Sequence, residues 1–183
     1  MKKTLSNFIA MAMLTACVPV WTHLESPTLV KDQTYSVELP SDWVRRNQTA
    51  KGNVAITHDG MGIQSIFIEQ NAHGKAFPNL KKSASPTMLP SELAELQLAE
   101  LKTFPALSNI EVVKNTPQTV SGLPGFRMHM RFKNVKGLTY EFLWLGVVNS
   151  KGYYSLNYRA PSIHYFPKHK PDFEKIVDSF RLL

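Results

Sequence analysis

Residues 126 to 132 read Phe126-Arg127-Met128-His129-Met130-Arg131-Phe132, a strict alternation of apolar and basic side chains. A period of two places alternate side chains on opposite faces of a strand, whereas a helix would scatter them around its circumference. Two further apolar runs follow, at residues 139 to 148 and 153 to 160, set off by Asn134-Val135-Lys136-Gly137 and Asn149-Ser150-Lys151-Gly152. Turns this short join antiparallel neighbours, so this third of the chain is a three-stranded meander. Taking each tetrapeptide as the turn gives a register. Lys133 then faces Leu138, with Arg131 opposite Tyr140, His129 opposite Phe142 and Arg127 opposite Trp144. In the second hairpin Phe142 faces Arg159 and Trp144 faces Asn157. One sheet face collects Arg127, His129, Arg131, Tyr140, Phe142, Trp144, Asn157 and Arg159; the other collects Phe126, Met128, Met130, Leu143, Leu145, Leu156 and Tyr158. The first face is a candidate ligand or partner platform, able to hold an anionic or ring-bearing group by ion pairing and cation-π contact. The structural alternative packs arginine stems on rings beneath a helix. A slip of one residue would redistribute every side chain.

The remaining segments supply a mixed complement. Residues 35 to 39 alternate as a strand stopped by Pro40, with Trp43 close behind. Residues 53 to 57 and 63 to 69 form a hairpin around Asp59-Gly60-Met61-Gly62. Residues 70 to 90, with Gly74, Pro78, Pro86 and Pro90, read as a long exposed loop, of a kind that is commonly mobile or functional. Residues 91 to 103 are the strongest helix, with Ser91 as N-cap and Ala94, Leu98 and Leu101 as a stripe widened by Leu93 and Leu96. Residues 110 to 114 are a strand, and Pro124-Gly125 suits a type II turn before the meander. Phe173, Ile176, Val177 and Phe180 give residues 170 to 179 a helical period.

The chain's one cysteine stands in Leu14-Thr15-Ala16-Cys17, after Lys2, Lys3 and the apolar run from Phe8 to Leu14. That order is a secretory signal, too short to span a bilayer. The tetrapeptide resembles the bacterial lipobox, which implies cleavage before Cys17 and lipid on its sulfur and new amino group. Several acyl chains on one residue anchor stably where one does not. The expected organisation is a signal peptide over residues 1–16, a lipidated tether over 17–32 and a single domain over 33–183. Val18 stands where the resembling Gram-negative lipoproteins carry an inner-membrane retention aspartate, which, if the envelope is Gram-negative, points to the outer membrane, facing the periplasm. No intrachain disulfide is open to a chain with one cysteine, so packing must hold the fold.

Loss of Lys2 and Lys3 lowers the formal net charge from +7 to +5. The excess is scattered and carries no nucleic-acid motif, so no nucleic-acid partner is expected. No nucleophile elbow, phosphate-binding glycine loop or H-E-x-x-H sequence is present, and no cofactor or catalytic residue is assigned. His164 and His169, five residues apart around Pro167, read as solvated loop histidines rather than metal ligands. His58 and Asp59, as neighbours on a strand, should point to opposite faces.

Tyr35-Ser36-Val37-Glu38-Leu39-Pro40 with Trp43, the Gly122-Leu123-Pro124-Gly125 turn entering the meander, and Phe173-Glu174-Lys175-Ile176-Val177-Asp178-Ser179-Phe180 near the end together resemble the PsbP-like group. That group includes DcrB-like bacterial lipoproteins and a eukaryotic Ran-binding import factor. The resemblance implies an α+β fold, an antiparallel β-sheet flanked by α-helices in an α/β/α sandwich, and transfers no catalytic residues. The expected function is a noncatalytic binding or assembly factor, anchored to the membrane through lipid on Cys17, with an envelope protein or polymer as partner. The alternative is a small anionic or aromatic ligand binder, or a hydrolase, using the basic aromatic face.

Overall fold

A computed structural model describes residues 19–183. The expected signal peptide, with Cys17, lies outside the described residues. The elements are β1 (Trp21–His23), β2 (Thr28–Lys31), β3 (Tyr35–Leu39), β4 (Val44–Arg46), β5 (Val54–Thr57), β6 (Ser65–Asn71), α1 (Pro90–Leu101), β7 (Ser108–Val120), β8 (Leu123–Lys133), β9 (Thr139–Asn149), β10 (Gly152–Pro161), α2 (Tyr165–Ser179) and β11 (Arg181–Leu182). Eight strands make one antiparallel sheet in the order β1-β4-β5-β6-β10-β9-β8-β7, and β11-β3-β2 make a smaller one. Helix α1 covers β8 and β9 on one face of the large sheet, while α2 lies between β10 and β3 on the other. The result is the expected α+β sandwich, with a core on each side of the sheet. Leu145, Tyr158, Phe173 and Ile176 fill one core with the small sheet's Val37 and Leu39. Phe126, Met128, Met130, Phe132, Phe142 and Trp144 fill the other beneath Leu93, Ala94 and Leu101 of α1.

The first meander turn corrects the expected register. Lys133 pairs with Thr139, not Leu138, so Arg131 faces Glu141, His129 faces Leu143 and Arg127 faces Leu145. Five residues, 134 to 138, make the loop. Asn134 Oδ1 accepts from the amides of both Lys136 and Leu138 at 3.0 Å, and Gly137 takes φ +77°. One extra loop residue turns all of β8 over relative to β9. The second turn is as expected, with Phe142 opposite Arg159 and Trp144 opposite Asn157. The turn before β8 also differs. Ser121 and Gly122 have φ +50° and +81° and Val120 pairs with Leu123, so a two-residue turn with both φ positive precedes Pro124-Gly125. Gly125 lies inside the strand, where a Cβ would collide with the Gly146 carbonyl oxygen.

Three other expectations are revised. The described part of the tether is folded: Trp21, Thr22 and His23 pair with Arg46, Arg45 and Val44, Thr28–Lys31 pairs with β3, and Leu24 is buried. Strands of three or four residues show too little period to be read, and their order comes from their partners. The loop at 70 to 90 is pinned. Glu100 of α1 accepts from the amides of Asn79 and Leu80 at 3.0 Å each, and Phe77 is fully buried. Helix α1 starts at Pro90, suited to a first turn that needs no amide donor, and Glu92 rather than Ser91 caps it by accepting from the Leu89 amide at 2.8 Å.

Candidate functional site

The slipped register divides the predicted platform between the two sheet faces. Arg127, His129 and Arg131 lie on the α2 side, where each has an acidic partner. Arg127 makes a two-pronged pair with Glu174 of α2, at 2.8 and 2.5 Å. His129 Nε2 and Arg131 Nε meet the two oxygens of Glu141 at 2.6 and 2.9 Å, and the His129 ring stacks on Phe166 at 5.6 Å. A concavity of about 290 Å³ lies beside Arg127 and His129. Their charges, however, are directed into partners supplied by the fold itself.

Tyr140, Phe142, Trp144, Asn157 and Arg159 remain together on the α1 side, but there the sheet is only partly covered. Helix α1 ends at Leu101, and the chain then runs through Phe104 and Leu107 toward β7. Between that segment and the strands lies a concavity of about 280 Å³, with Phe67, Phe142 and Trp144 as rings, Leu101, Phe104 and Leu107 as apolar wall, and Glu69, Asn157 and Arg159 as polar groups. Two smaller hollows continue it. One, of about 150 Å³, shares Arg159 and reaches Tyr140 and Gly62; the other, of about 190 Å³, shares Glu69 and Trp144 and reaches Lys75. The three form one groove across β9, β10 and β6.

Arg159 donates from Nε to Ser65 Oγ at 3.0 Å, and its guanidinium carbon stands 6.0 Å from the Phe67 ring centre. Burial lowers its pKa, and no carboxylate among the described residues pairs with it. Burial likewise pushes the Glu69 carboxyl above its usual range, opposed by Ser155 and Asn157, whose donors stand 3.4 Å from Oε2. The rings are held from behind: Trp144 Nε1 donates to Tyr153 at 3.3 Å, and Tyr153 donates to Gln97 of α1 at 2.9 Å. Sequence reasoning missed Phe67 and Glu69. They reach this face because β6 pairs with β10, a neighbour distant along the chain, and local alternation cannot identify such a partner.

The histidine readings also change. Helix α2 begins at Tyr165, because Pro167 falls in a first turn where its missing N–H costs no hydrogen bond. His169 is therefore a helical residue, 3 % exposed. Strand β5 stops at Thr57, so the alternation rule no longer governs His58 and Asp59, and both reach α2. Asp59 meets His58 Nδ1 at 3.1 Å and His169 Nε2 at 2.9 Å. Burial raises the Asp59 pKa, but the close His58 and His169 imidazoles outweigh it and the net shift is downward. For His169, burial outweighs the Asp59 bond and lowers the pKa. A concavity of about 440 Å³ opens beside Trp43, His58, His169 and Asp172. His58, Asp59 and His169 are the residues whose donor atoms and spacing could hold a metal.

The match to known proteins follows the fold. A family model, PsbP, covers residues 30–182. The chain belongs to the PsbP family. The solution structure of cyanobacterial PsbP from Synechocystis is similar to this PsbP-family chain with a TM-score of 0.59 at 10 % identity, covering 93 % of this chain and 99 % of that one. The Ran-binding protein Mog1p of Saccharomyces cerevisiae is similar with a TM-score of 0.58 at 8 % identity, covering 86 % and 96 %. Identities this low speak for the PsbP architecture alone. No curated protein matches the sequence. No described helix of this PsbP-family chain is long and apolar enough to cross a membrane.

Proposed function

We propose that the protein is a noncatalytic binding factor of the bacterial cell envelope, held to the membrane by lipid on Cys17, that receives an extended segment of an envelope protein or polymer in the α1-side groove. The observation that supports this reading best is Arg159, a cation set among rings in an open groove and without the carboxylate partners that Arg127 and Arg131 possess. An anionic group on the partner would complete it, and the rings would stack against flat or apolar neighbours. A groove continued by two hollows suits a chain better than a compact small molecule. Anchoring is supported by the lipobox-like signal and by the early start of the fold. Three residues lie between Cys17 and Trp21, a span of at most about 14 Å of chain, so β1 would lie close to the bilayer.

Photo-crosslinking in intact cells tests the groove. A photoreactive residue at Phe104, on the groove wall, should yield a discrete adduct that Arg159→Ala diminishes, while the same probe at exposed Ile163 should not. Equal adducts from both positions, or none from Phe104, would refute the groove. Cys17→Ser should abolish lipid labelling and release the protein from washed membranes, or block its processing. Unchanged lipid incorporation in that variant rejects the anchor.

A further inference from the structure

We infer that His58, Asp59 and His169 form a binding site for a divalent transition metal of the zinc type, on the α2 side and independent of the groove. The donor set is two imidazoles and one carboxylate, a combination that suits borderline metals such as Zn²⁺ and not the all-oxygen shells of Ca²⁺ or Mg²⁺. One ligand atom from each residue lies within 4.8 Å of the others. Tetrahedral coordination at about 2.0 to 2.1 Å separates neighbouring donors by roughly 3.3 Å. Asp59 reaches the two imidazoles through different oxygens, Oδ1 to His58 Nδ1 at 3.1 Å and Oδ2 to His169 Nε2 at 2.9 Å, so an ion between the rings would draw on both oxygens or on a slightly rotated carboxylate.

Two buried polar groups show that internal hydrogen bonding leaves the cluster incomplete. His58 Nδ1 is inaccessible to solvent yet has no hydrogen bond of proper geometry, despite its approach to Asp59. Gln64, fully buried, lies against the Asp59 carboxylate, and both of its amide atoms lack well-formed bonds. Buried groups left in this way are uncommon, and an ion drawing on His58 would satisfy the first directly.

The surroundings suit a held ion. Asp172 Oδ2 lies 4.0 Å from His169 Nδ1, on the ring edge away from Asp59, and accepts from Trp43 Nε1 at 3.2 Å. At that distance the carboxylate makes no hydrogen bond to the ring and supports a ligating imidazole by its charge alone. Trp43 meets both imidazoles edge-on, at 5.4 and 6.1 Å, walling one side. Lys168 Nζ approaches Asp59 at 4.0 Å; its half-exposed side chain can swing into solvent when the ion enters. Three protein ligands leave a coordination position for water or for a group in the 440 Å³ concavity. The ion would tie the β5–β6 turn to α2.

The test uses the full-length protein in detergent, stripped with a chelator and titrated with Zn²⁺ and separately with Mg²⁺. One equivalent of Zn²⁺ should bind at micromolar or tighter Kd, Mg²⁺ should not, and Tm should rise by several degrees at a hundredfold excess over Kd. Substitution of Co²⁺ should give visible d–d absorption characteristic of low coordination. Because His169 is buried and its loss could unfold the domain, the variants are Asp59→Asn, which keeps the size and an acceptor, and His58→Gln. Each should weaken Zn²⁺ at least tenfold with unchanged circular dichroism, while His164→Gln binds as the parent does. Absence of saturable Zn²⁺ binding by the parent, or parental affinity in both Asp59→Asn and His58→Gln, overturns the site.

Discussion

The two faces of the central sheet handle charge differently. On the α2 side, the β8 groups Arg127, His129 and Arg131 meet Glu174 and Glu141 and are paired within the fold. On the α1 side, Arg159 and Glu69 share one groove but make no salt bridge with each other, and burial disfavours the charged form of each. Charges satisfied within the fold serve stability. Charges set in an open groove without a counter-ion cost stability and are available to something outside. The placement of carboxylates relative to the arginines separates a structural surface from a candidate binding surface.

The largest effect should come from Glu141, whose carboxylate is 9 % exposed and serves two partners. Glu141→Ala removes the short bond to His129 and leaves that half-buried imidazole without its partner, which should lower unfolding free energy by about 2 kcal/mol. Arg131 is exposed, so its pair with Glu141 is screened by solvent. Urea unfolding of the variant measures the loss. A change below about 0.5 kcal/mol, the size of an ordinary surface substitution, would mean that the α2 face is no more self-satisfied than the groove.

A direct contrast between two arginines follows. Arg127→Ala breaks a two-pronged pair whose side chains are 22 % and 35 % exposed, so solvent screening reduces the loss to about 1 kcal/mol. Arg159→Ala removes a cation with a hydroxyl and a ring for neighbours, and its unfolding free energy should stay within about 0.5 kcal/mol of the parent. Crosslinking through Phe104 should respond in the opposite order, falling for Arg159→Ala and holding for Arg127→Ala. If Arg159→Ala proves the more destabilising variant and leaves crosslinking intact, the assignments of the two faces exchange.

Much of this architecture was legible because it is written locally. The alternation at residues 126 to 132, the second meander turn and the β5–β6 hairpin each depend on neighbours in the chain, and the structure has them. The family resemblance carried the fold class. What failed was governed by distant partners or by a single residue of loop length. Asn134 holds a five-residue loop where four were counted, and that moved three of the eight platform residues through the sheet. His169 read as solvated because Pro167 looked like a helix breaker, though in a first turn it is tolerated. Glu69 needed the pairing of β6 with β10, strands separated by the whole of α1, β7, β8 and β9. Five platform residues stayed together because the second turn, which joins β9 to β10, has the length the sequence indicated.

The smallest effect separates the faces by pH. Burial holds the Glu69 carboxyl above its ordinary range in the folded chain, while in the unfolded chain it titrates normally. The folded state therefore retains the proton to higher pH than the unfolded state does. The sign follows from linkage: well below the unfolded pKa both states are protonated and Glu69 is neutral in effect, and stability declines as pH rises from the unfolded pKa through the folded one. At neutral pH the ionised Glu69 is a standing cost, partly offset by Ser155 and Asn157. Glu69→Gln removes the titration while keeping an acceptor for those two donors. The variant should melt slightly above the parent at pH 7, and the difference should vanish as pH falls below the carboxylate range. Melting curves across that interval decide it. A variant less stable than the parent at neutral pH would mean that the Glu69 charge is compensated inside the fold, as Glu141 is on the other face, and the groove would lose its claim to an outside partner.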